Sequence, residues 1–396
     1  MKVILTDDTF VSWAGHSAEY NFAIFDELAR RGINCQIFAH NSVSRTKGLA
    51  SKAKPTFTHT ASQILPCGKI LPKLVYKLII VFFANTSHFL DLLLKITPCV
   101  DDKDLLLIGD FSPRTSIAYS LWLLYLTVLR KRLSVVVLVH SAPLYSYYRW
   151  EMLFFKILAR FHRLTLAALN QAIADVCSER ISLKCMAFPT PQTPHVSESS
   201  DCQGGNNSEV ALAFLGLASV DKGFDVLVDE IGLLKDLTAE RRVAFAVQCN
   251  IMHSTPLLEK AKRKLLDLAA SNTRLKVIEG ALATDEFVDV LCSADVILFP
   301  YCPEAYKYVQ SGVFTQALTL GKIVIVTEGT HIASELERYG SGIVCKYGVP
   351  GAFAEAIRIV VNNIGAMREK AQRTKNVYYQ IHNPKRYVDL LLELKS

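Results

Sequence analysis

The segment from Ala294 to Val326 constrains the fold more than any other part of the chain. An apolar run, Val296–Phe299, enters a polar loop; Ser311-Gly312-Val313 then opens a helix that ends at Gly321, and a second apolar run follows. Glycine at the start of a helix that follows a parallel strand directs backbone N–H groups and the positive helix end at one point, which suits a phosphate without a metal. Ligands of α/β proteins bind at this carboxyl edge of the sheet. The segment therefore predicts a diphosphate site and a nucleotide-linked substrate.

Composition excludes several other classes of protein. The chain has 396 residues, 51% hydrophobic and 20% charged, which suits two or three globular domains with large cores. The net charge of +7 is modest, and no block of lysine or arginine resembles a nucleic-acid-binding arm. The ten cysteines lack metal-ligand spacing, the N-terminus does not resemble a signal peptide, and no apolar run reaches the ~18 residues of a spanning helix. We expect a cytoplasmic protein that binds no nucleic acid and no metal.

Strand-like runs alternate with helical periodicity, which is typical of parallel α/β units. In the first half, the pattern predicts strands near Lys2–Leu5, Cys35–Ala39, Leu105–Ile108, Val135–Val139 and Leu164–Ala168, and helices near Ala18–Arg31, Ile117–Lys131 and Tyr148–Arg160. In the second half, it predicts strands Ala211–Leu215, Val243–Gln248, Leu275–Ile278, Val296–Phe299 and Ile323–Val326, and helices Phe224–Leu234, Leu257–Leu268, Asp285–Cys292, Gly351–Asn362 and Lys385–Leu394. A stretch rich in proline, serine, glycine and asparagine separates the halves. The predicted fold is α/β, with two doubly wound Rossmann-like domains and a cleft between them.

Three strings of the second half carry a resemblance to a known family. FLGLASVDKGFDVLVDEI, VIEGALATDEFVDVLCSADVILFPY and SGVFTQALTLGKIVIVTEGTHIASEL follow one another between Phe214 and Leu336. Their order and spacing resemble the group 1 glycosyltransferases of GT-B architecture, which move a sugar from a nucleotide diphosphate sugar. In the first half, WAGHSAEYNFAIFDELARRG is similar to the glycine loop and first helix of that family. The resemblance implies retention of the anomeric configuration, no essential metal and no cofactor besides the donor substrate.

The sequence pattern divides the chain into domains, and the resemblance assigns their roles. Residues 1–190 would form the N-terminal Rossmann-like domain on the acceptor side, and residues 191–208 the linker. Residues 209–375 would form the C-terminal Rossmann-like domain, which binds the nucleotide sugar. Residues 376–396 would form a C-terminal helix, for which a return to the N-terminal domain is one expectation.

Lys222 is the first candidate for the chemistry. It lies in the Asp221-Lys222-Gly223 turn after the first predicted strand of the second half. By resemblance its ammonium would contact the donor phosphates, where a charge-assisted hydrogen bond is worth roughly 1.5–3 kcal/mol. The alternative is an ordinary solvated turn lysine. The family usually has an arginine five positions earlier, where this chain has Leu217, so one cation of the expected pair is missing.

Ser311, Gly312 and Val313 would bind the diphosphate through their backbone N–H groups and the Ser311 hydroxyl. Glycine permits a close approach because it has no Cβ. The alternative is a simple helix N-cap, since serine followed by glycine is common there. The setting between two strands favours the binding site.

The family's E-x7-E motif is altered in this chain. Gln316 stands at the position of the second glutamate, and its amide can still hydrogen-bond ribose hydroxyls. Tyr308 stands eight residues earlier, at the position of the first glutamate. Glu304 lies in the preceding loop and is a second candidate for facing the sugar. A surface-loop role remains open for both Tyr308 and Glu304.

The first half contributes three further candidates by resemblance. Gly15 and His16, between a strand and a helix, would approach the donor phosphates and the acceptor. His140 ends the apolar run VVVLVH at the carboxyl edge of a strand, where the family frequently has a histidine near the transferred sugar. A satisfied polar cap is the alternative for His140. The predicted catalytic residues are thus His140, Lys222 and Glu304.

Two segments of the first half mix apolar and basic residues. Lys69–Lys95 predicts either a helix pair packed on the sheet or an interfacial segment that docks on an anionic membrane. Tyr145–Arg163 adds aromatic and basic residues, which favours the membrane. The second interpretation places the protein at the inner face of the plasma membrane, where a lipid-linked acceptor would lie.

Together these features predict a metal-independent hexosyltransferase. It would move a hexose-type sugar from a nucleotide diphosphate sugar to a glycan or lipid-linked acceptor, with retention, in surface polysaccharide biosynthesis. The alternative is a catalytically impaired GT-B protein that acts as a binding or partner subunit. Leu217 and the altered E-x7-E motif are the residues that favour this alternative.

Overall fold

The computed structural model describes residues 2–11, 16–45, 48–49, 51–59, 73–109, 115–140, 156–181, 185–191, 209–240 and 242–395. The chain divides into two compact units. The first domain comprises Met1–Pro191 and Asn383–Ser396, and the second comprises Gln192–His382. Each contains one parallel sheet, which confirms the prediction of an α/β protein with two Rossmann-like domains. Residues 192–208 of the predicted linker lie outside the described residues.

The first domain is built on a seven-stranded parallel sheet. Its strands are β1 (Lys2–Asp7), β2 (Asn34–His40), β3 (Ala53–Phe57), β4 (Leu105–Ile108), β5 (Ser134–Val139), β6 (Arg163–Ala168) and β7 (Cys185–Ala187). They lie in the order β3-β2-β1-β4-β5-β6-β7, so the topological switch falls between β1 and β4. The sequence pattern did not indicate β3 and β7. Both are edge strands: β3 contains a proline and β7 has three residues, so neither forms an apolar run.

The helices of the first domain are His16–Arg30, Lys73–Asp91, Ser116–Val128, Gln171–Ile181 and Pro384–Glu393. The predicted helix pair within Lys69–Lys95 is one α-helix, which continues as a π-helical segment at Leu92–Ile96. Most of the predicted helix Tyr148–Arg160 lies outside the described residues.

The last helix of the chain packs in the first domain. Tyr387 is fully buried, with its ring 5.4 Å from that of Tyr20 and 5.1 Å from that of Phe188. Arg31 forms an ion pair with Asp389 at 2.7 Å. The core of the first domain therefore includes residues from both ends of the sequence.

The second domain is built on a six-stranded parallel sheet. Its strands are β8 (Val210–Phe214), β9 (Val243–Cys249), β10 (Leu275–Glu279), β11 (Val296–Phe299), β12 (Ile323–Thr327) and β13 (Gly342–Cys345). The order β10-β9-β8-β11-β12-β13 is that of a doubly wound dinucleotide-binding sheet, with its switch point between β8 and β11. Successive residues of β8 face opposite layers: Leu212 and Phe214 belong to one buried cluster and Ala213 to the other.

The helices of the second domain are Phe224–Ile231, Lys235–Ala239, Pro256–Ala270, Thr284–Ser293, Pro303–Tyr306, Gly312–Thr319, His331–Tyr339, Ala352–Asn362 and Ile364–Ile381. The 18-residue helix Ile364–Ile381 was missed by the sequence pattern. It buries only Ala371, Thr374 and Tyr378, so its apolar periodicity is weak.

The only DxD sequence of the chain, Asp102-Lys103-Asp104, precedes β4 at the amino edge of the first sheet. The Asp104 carboxylate accepts a hydrogen bond from the Lys2 backbone N–H at 3.0 Å and from that of Asp101 at 3.0 Å. It also lies 3.4 Å from the Lys2 ammonium. Asp104 therefore fixes the start of β1. Across the described ranges, every helix falls short of the length and apolarity that a membrane-spanning segment requires.

Candidate active site

The site in the second domain is built from the two segments that leave β8 and β11. These neighbouring strands flank the switch point, where the following loops diverge and leave room for a ligand. The segment after β8 runs through Gly216 to the Asp221–Gly223 turn. The segment after β11 runs through Tyr301 to the start of the helix Gly312–Thr319.

The turn that carries Lys222 is held against the segment after β11. The backbone N–H of Cys302 donates to the carbonyl oxygen of Asp221 at 2.9 Å. Gly223 has φ +63°, and a Cβ there would lie 1.8 Å from the carbonyl oxygen of Pro300. Only glycine fits this position, because any side chain would collide with backbone. The sequence Asp-Lys-Gly thus fixes Lys222 at the switch point.

The Lys222 side chain is half-buried at the switch point. Its Nζ lies 5.6 Å from the centre of the Tyr301 ring. Burial lowers the pKa of Lys222, and the hydroxyl of Tyr306 opposes that shift in part. Among the described residues, no ion pair includes Lys222. A desolvated cation without a counter-charge is unfavourable, so the position suits an anionic ligand.

Gly216 brings the loop after β8 up to the helix start. A Cβ at Gly216 would lie 2.9 Å from Lys222 Nζ and 3.9 Å from Val313 Cγ2. The Gly216 N–H donates to Gln248 Oε1 at 2.8 Å, and Gln248 Nε2 donates to the Gly280 carbonyl at 3.0 Å. The backbone of Gly216 is thereby fixed at φ +104°. The predicted partners Lys222 and Val313 thus border one small space.

Ser311 is the N-cap of the helix Gly312–Thr319. Its Oγ accepts from the Phe314 N–H at 3.3 Å and lies 3.4 Å from the Tyr301 hydroxyl. The backbone N–H groups of Gly312 and Val313 have no acceptor in the part of the chain that the structure describes, as expected for the first helical positions. These two N–H groups and the positive helix end are available for an anion.

The residues of the altered E-x7-E region lie around this helix. The Tyr308 ring lies 5.4 Å from Lys307 Nζ, and Gln316 is half-buried in the second helical turn. Glu304 is exposed; its carboxylate accepts from the Cys302 thiol at 2.9 Å, and this bond lowers the pKa of Glu304. None of these contacts involves Lys222. Their proposed contact with the sugar stays a prediction.

Tyr301 is a site residue that the sequence pattern did not indicate. It is fully buried, and it contacts Lys222 through its ring and Ser311 through its hydroxyl. Its carbonyl accepts from the Thr327 hydroxyl, which ties it to the end of β12. The Tyr306 ring lies 4.2 Å away, and burial raises the pKa of Tyr306 to about 12. The string FPY after β11 is the only sequence signal for this packing.

Leu217 occupies the place of the missing family arginine. It is 38% exposed, and its backbone bridges to Asn250 beyond the end of β9. The neighbouring Ala218 N–H donates to the Asn250 carbonyl at 2.8 Å. Because Leu217 is uncharged, it adds no positive charge beside Gly216, where Lys222 lies.

His140 lies at the carboxyl end of β5 in the first domain, as predicted. Its Nε2 lies 2.6 Å from the carbonyl oxygen of Gly109, which follows β4. Since a carbonyl only accepts, Nε2 carries the proton, and Nδ1 of a neutral ring is left as an acceptor. Gly15 lies outside the described residues. His16 begins the helix His16–Arg30, but its side chain is also outside the described residues.

Several solved structures share the fold over nearly the whole chain. A glycosyltransferase from Rickettsia africae is 12% identical, with a TM-score of 0.70, and the match covers 100% of this chain and 97% of that one. The HepE protein of Anabaena, solved in complex with UDP, is 14% identical, with a TM-score of 0.66 and coverage of 99% of both chains. A UDP-forming trehalose-phosphate synthase from Burkholderia xenovorans is 10% identical, with a TM-score of 0.69 and full coverage of both chains.

No curated protein sequence matches the chain significantly. A family model, in contrast, matches the second domain. Its matched residues, 209–363, include Gly216, Lys222, Tyr301 and the helix start at Gly312. The part of the chain that builds the candidate site is therefore similar to group 1 glycosyl transferases.

Proposed function

We propose that this protein is a glycosyltransferase that moves a hexose-type sugar from a nucleotide diphosphate sugar to an acceptor, with retention of configuration. One observation carries the proposal. Among the described residues, the half-buried Lys222 has no counter-ion, and its ammonium borders the same small space as the Val313 side chain at the switch point of a parallel sheet. Val313 lies in the first turn of a helix whose leading N–H groups, those of Gly312 and Val313, have no acceptor among the described residues. The group 1 match over residues 209–363 supports it.

The chemistry follows from where charge develops. When the bond between the sugar and the diphosphate breaks, negative charge grows on the leaving phosphate and positive charge on the sugar ring. Lys222 and the helix start would stabilise the leaving group, because they are already oriented and partly shielded from water. His140, with Nδ1 available as an acceptor, would act near the transferred sugar. Glu304, Tyr308 and Gln316 would contact the sugar and ribose.

The reaction would not require a metal. Lys222 and the helix start supply positive charge at the place where metal-dependent enzymes put a divalent ion. Asp104, which belongs to the only DxD sequence, accepts hydrogen bonds from the backbone N–H groups of Lys2 and Asp101 at the amino edge of the first sheet. The amino edge is the opposite end of the strands from His140.

A uridine diphosphate sugar is the first donor to test. The HepE protein of Anabaena has been solved with UDP-glucose, and a trehalose-phosphate synthase is described as UDP-forming. The acceptor would be a glycan or a lipid-linked glycan in surface polysaccharide biosynthesis. That role would place the protein in the cytoplasm at the inner face of the plasma membrane.

The proposal is tested with the purified chain and a panel of UDP-, GDP-, ADP- and TDP-sugars. We expect the sugars of one nucleotide class to raise the melting temperature of the protein. In the presence of acceptor, the corresponding nucleoside diphosphate should be released. EDTA should leave the release rate unchanged. If no nucleotide sugar binds, the catalytically impaired alternative becomes the better description. Neither the family match nor the structural neighbours favour that alternative.

A further inference from the structure

The helix Ser116–Val128 presents an outward face made only of apolar side chains. Its residues Ser116, Ala118, Tyr119, Trp122, Leu123 and Leu126 are buried in the first domain. The exposed positions, between 38% and 74% exposed, are Ile117, Leu121, Leu124, Tyr125, Val128 and the following Leu129. A surface helix normally turns polar side chains to water, so an apolar outward face marks an interaction surface.

Two segments that contact this helix also carry exposed apolar side chains. On one side, Asn85 of the helix Lys73–Asp91 accepts the Ala118 N–H at 2.8 Å, and Leu90 and Leu94 are exposed farther along the same segment. These two leucines are 47% and 67% exposed.

On the other side, the buried His162 lies 2.9 Å from the hydroxyl of Thr127. This contact places Ile157 and Phe161, which are 43% and 39% exposed, beside the helix Ser116–Val128. We call the exposed residues of Ser116–Leu129 with Leu90, Leu94, Ile157 and Phe161 the apolar face.

Basic residues border the apolar face. Arg130, Arg132, Lys156 and Arg160 are exposed at the end of the helix and beside Ile157. From Thr115 to Ala174 the sequence contains seven lysines and arginines and one acidic residue, Glu151.

A cavity of about 560 Å³ adjoins this rim at the amino ends of β4, β5 and β6. Five of its lining residues are cationic and one is acidic: Lys103, Arg132, Arg160, Arg163, Lys395 and Asp102. The surroundings of the apolar face therefore have a positive potential that suits phosphate groups.

We propose that the apolar face docks the protein on an anionic lipid bilayer. The exposed leucines, Val128 and Phe161 would enter the headgroup region, and the arginines of the rim would bind lipid phosphates. A second copy of the chain fits less well, because a two-fold contact through this face would bring two basic rims together. This docking does not depend on which sugar is transferred.

The test is co-sedimentation of the full chain with lipid vesicles. We expect binding to vesicles of phosphatidylglycerol mixed with phosphatidylcholine, and binding at least about tenfold weaker to phosphatidylcholine alone. Replacing two exposed apolar residues, Leu124→Ser with Val128→Ser, should weaken binding about tenfold or more. Replacing two rim cations, Arg132→Gln with Arg160→Gln, should weaken it about fivefold per charge, with a smaller effect at high salt.

Matched controls come from the second domain. Met252, 67% exposed, and the exposed Lys260 offer the substitutions Met252→Ser and Lys260→Gln, which should leave vesicle binding unchanged. Equal binding to neutral vesicles, or normal binding by the variant with Leu124→Ser and Val128→Ser, would overturn the proposal. So would a lack of vesicle binding combined with a dimer that this variant no longer forms, because the face would then bind a second copy.

Discussion

The Lys222 ammonium and Gly216 share one space: a Cβ on Gly216 would lie 2.9 Å from Lys222 Nζ. The position of each residue depends on the other. The lysine reaches the switch point because residue 216 has no side chain, and the φ of +104° at Gly216 is itself one that other residues rarely adopt. Val313, at the start of the next helix, borders the same space, since a Cβ on Gly216 would lie 3.9 Å from Val313 Cγ2.

The first prediction is that Gly216→Ala impairs donor binding by displacing Lys222. The added methyl would push the ammonium away from Val313, so we expect the Kd for the nucleotide sugar to rise at least about tenfold, a loss of roughly 1.4 kcal/mol. Gly348→Ala is the matched control, because Gly348 also has a positive φ (+71°) but has nothing within 4 Å of the added Cβ. Isothermal titration with the preferred nucleotide measures both. Equal affinities in the two variants would separate Gly216 from the site.

The second prediction concerns Lys222 itself. Lys222→Ala removes the cation that we propose stabilises the leaving diphosphate, so kcat should fall more than about tenfold, roughly 1.4 kcal/mol of transition-state stabilisation. The melting temperature should not fall, since the change also removes a partly buried charge that has no counter-ion among the described residues. Lys260→Ala, on an exposed helix face of the same domain, should turn over normally. Full activity of Lys222→Ala would remove the residue from the mechanism.

The outline of this site could be predicted because its signals are local. Val296–Phe299, the polar loop and Ser311-Gly312 are continuous in sequence, and the Asp221–Gly223 turn is recognisable after an apolar strand. The meeting of these two segments depends on the order β8-β11 in the sheet, which no local pattern specifies. The family resemblance supplied that step.

Other parts of the site were invisible to sequence patterns for physical reasons. Gln248 matters because its side chain bridges Gly216 and Gly280, from two other strand ends, and such a bridge exists only in the folded sheet. Tyr301 resembles any buried aromatic residue until its neighbours Lys222 and Ser311 are placed.

The same holds for the fold. The strand β13 contains a glycine, Gly342, that packs against the Val324 backbone, so its run of apolar residues is short. The edge strand β3 was missed for a similar reason. Long, buried central strands were predicted almost to the residue, because both of their faces are apolar.

The third prediction is that Gly223→Ala destabilises the second domain more than a positive φ alone explains. A left-handed residue other than glycine costs about 1–2 kcal/mol, and this cost should describe Gly348→Ala. At Gly223 the added Cβ would also lie 1.8 Å from the Pro300 carbonyl oxygen, so the backbone must move. We expect at least about twice the loss in unfolding free energy by urea denaturation. Equal losses would show that the turn adjusts without cost.

The fourth prediction concerns Lys322, which is 3% exposed and donates to the carbonyl of Cys292 at 2.6 Å. Burial lowers the pKa of Lys322 from its ordinary 10.5 to about 8. Between these two values the unfolded chain binds the proton that the folded protein has released, so the contribution of Lys322 to the unfolding free energy increases with pH across about 8 to 10.5. Below that window the cost of burying the charge is fully present, and above it the cost is gone.

Lys322→Met tests this assignment. Methionine cannot titrate, so the variant should lose the rise in unfolding free energy that the wild-type protein gains across the window, whatever its stability at neutral pH. Lys260→Met should keep the rise, because the Lys260 side chain is exposed. Urea denaturation at several pH values gives the difference between wild type and variant, in which the contributions of other titrating groups cancel. A constant difference across the window would show that Lys322 remains charged in the folded protein, with the neighbouring Asp295 offsetting the effect of burial.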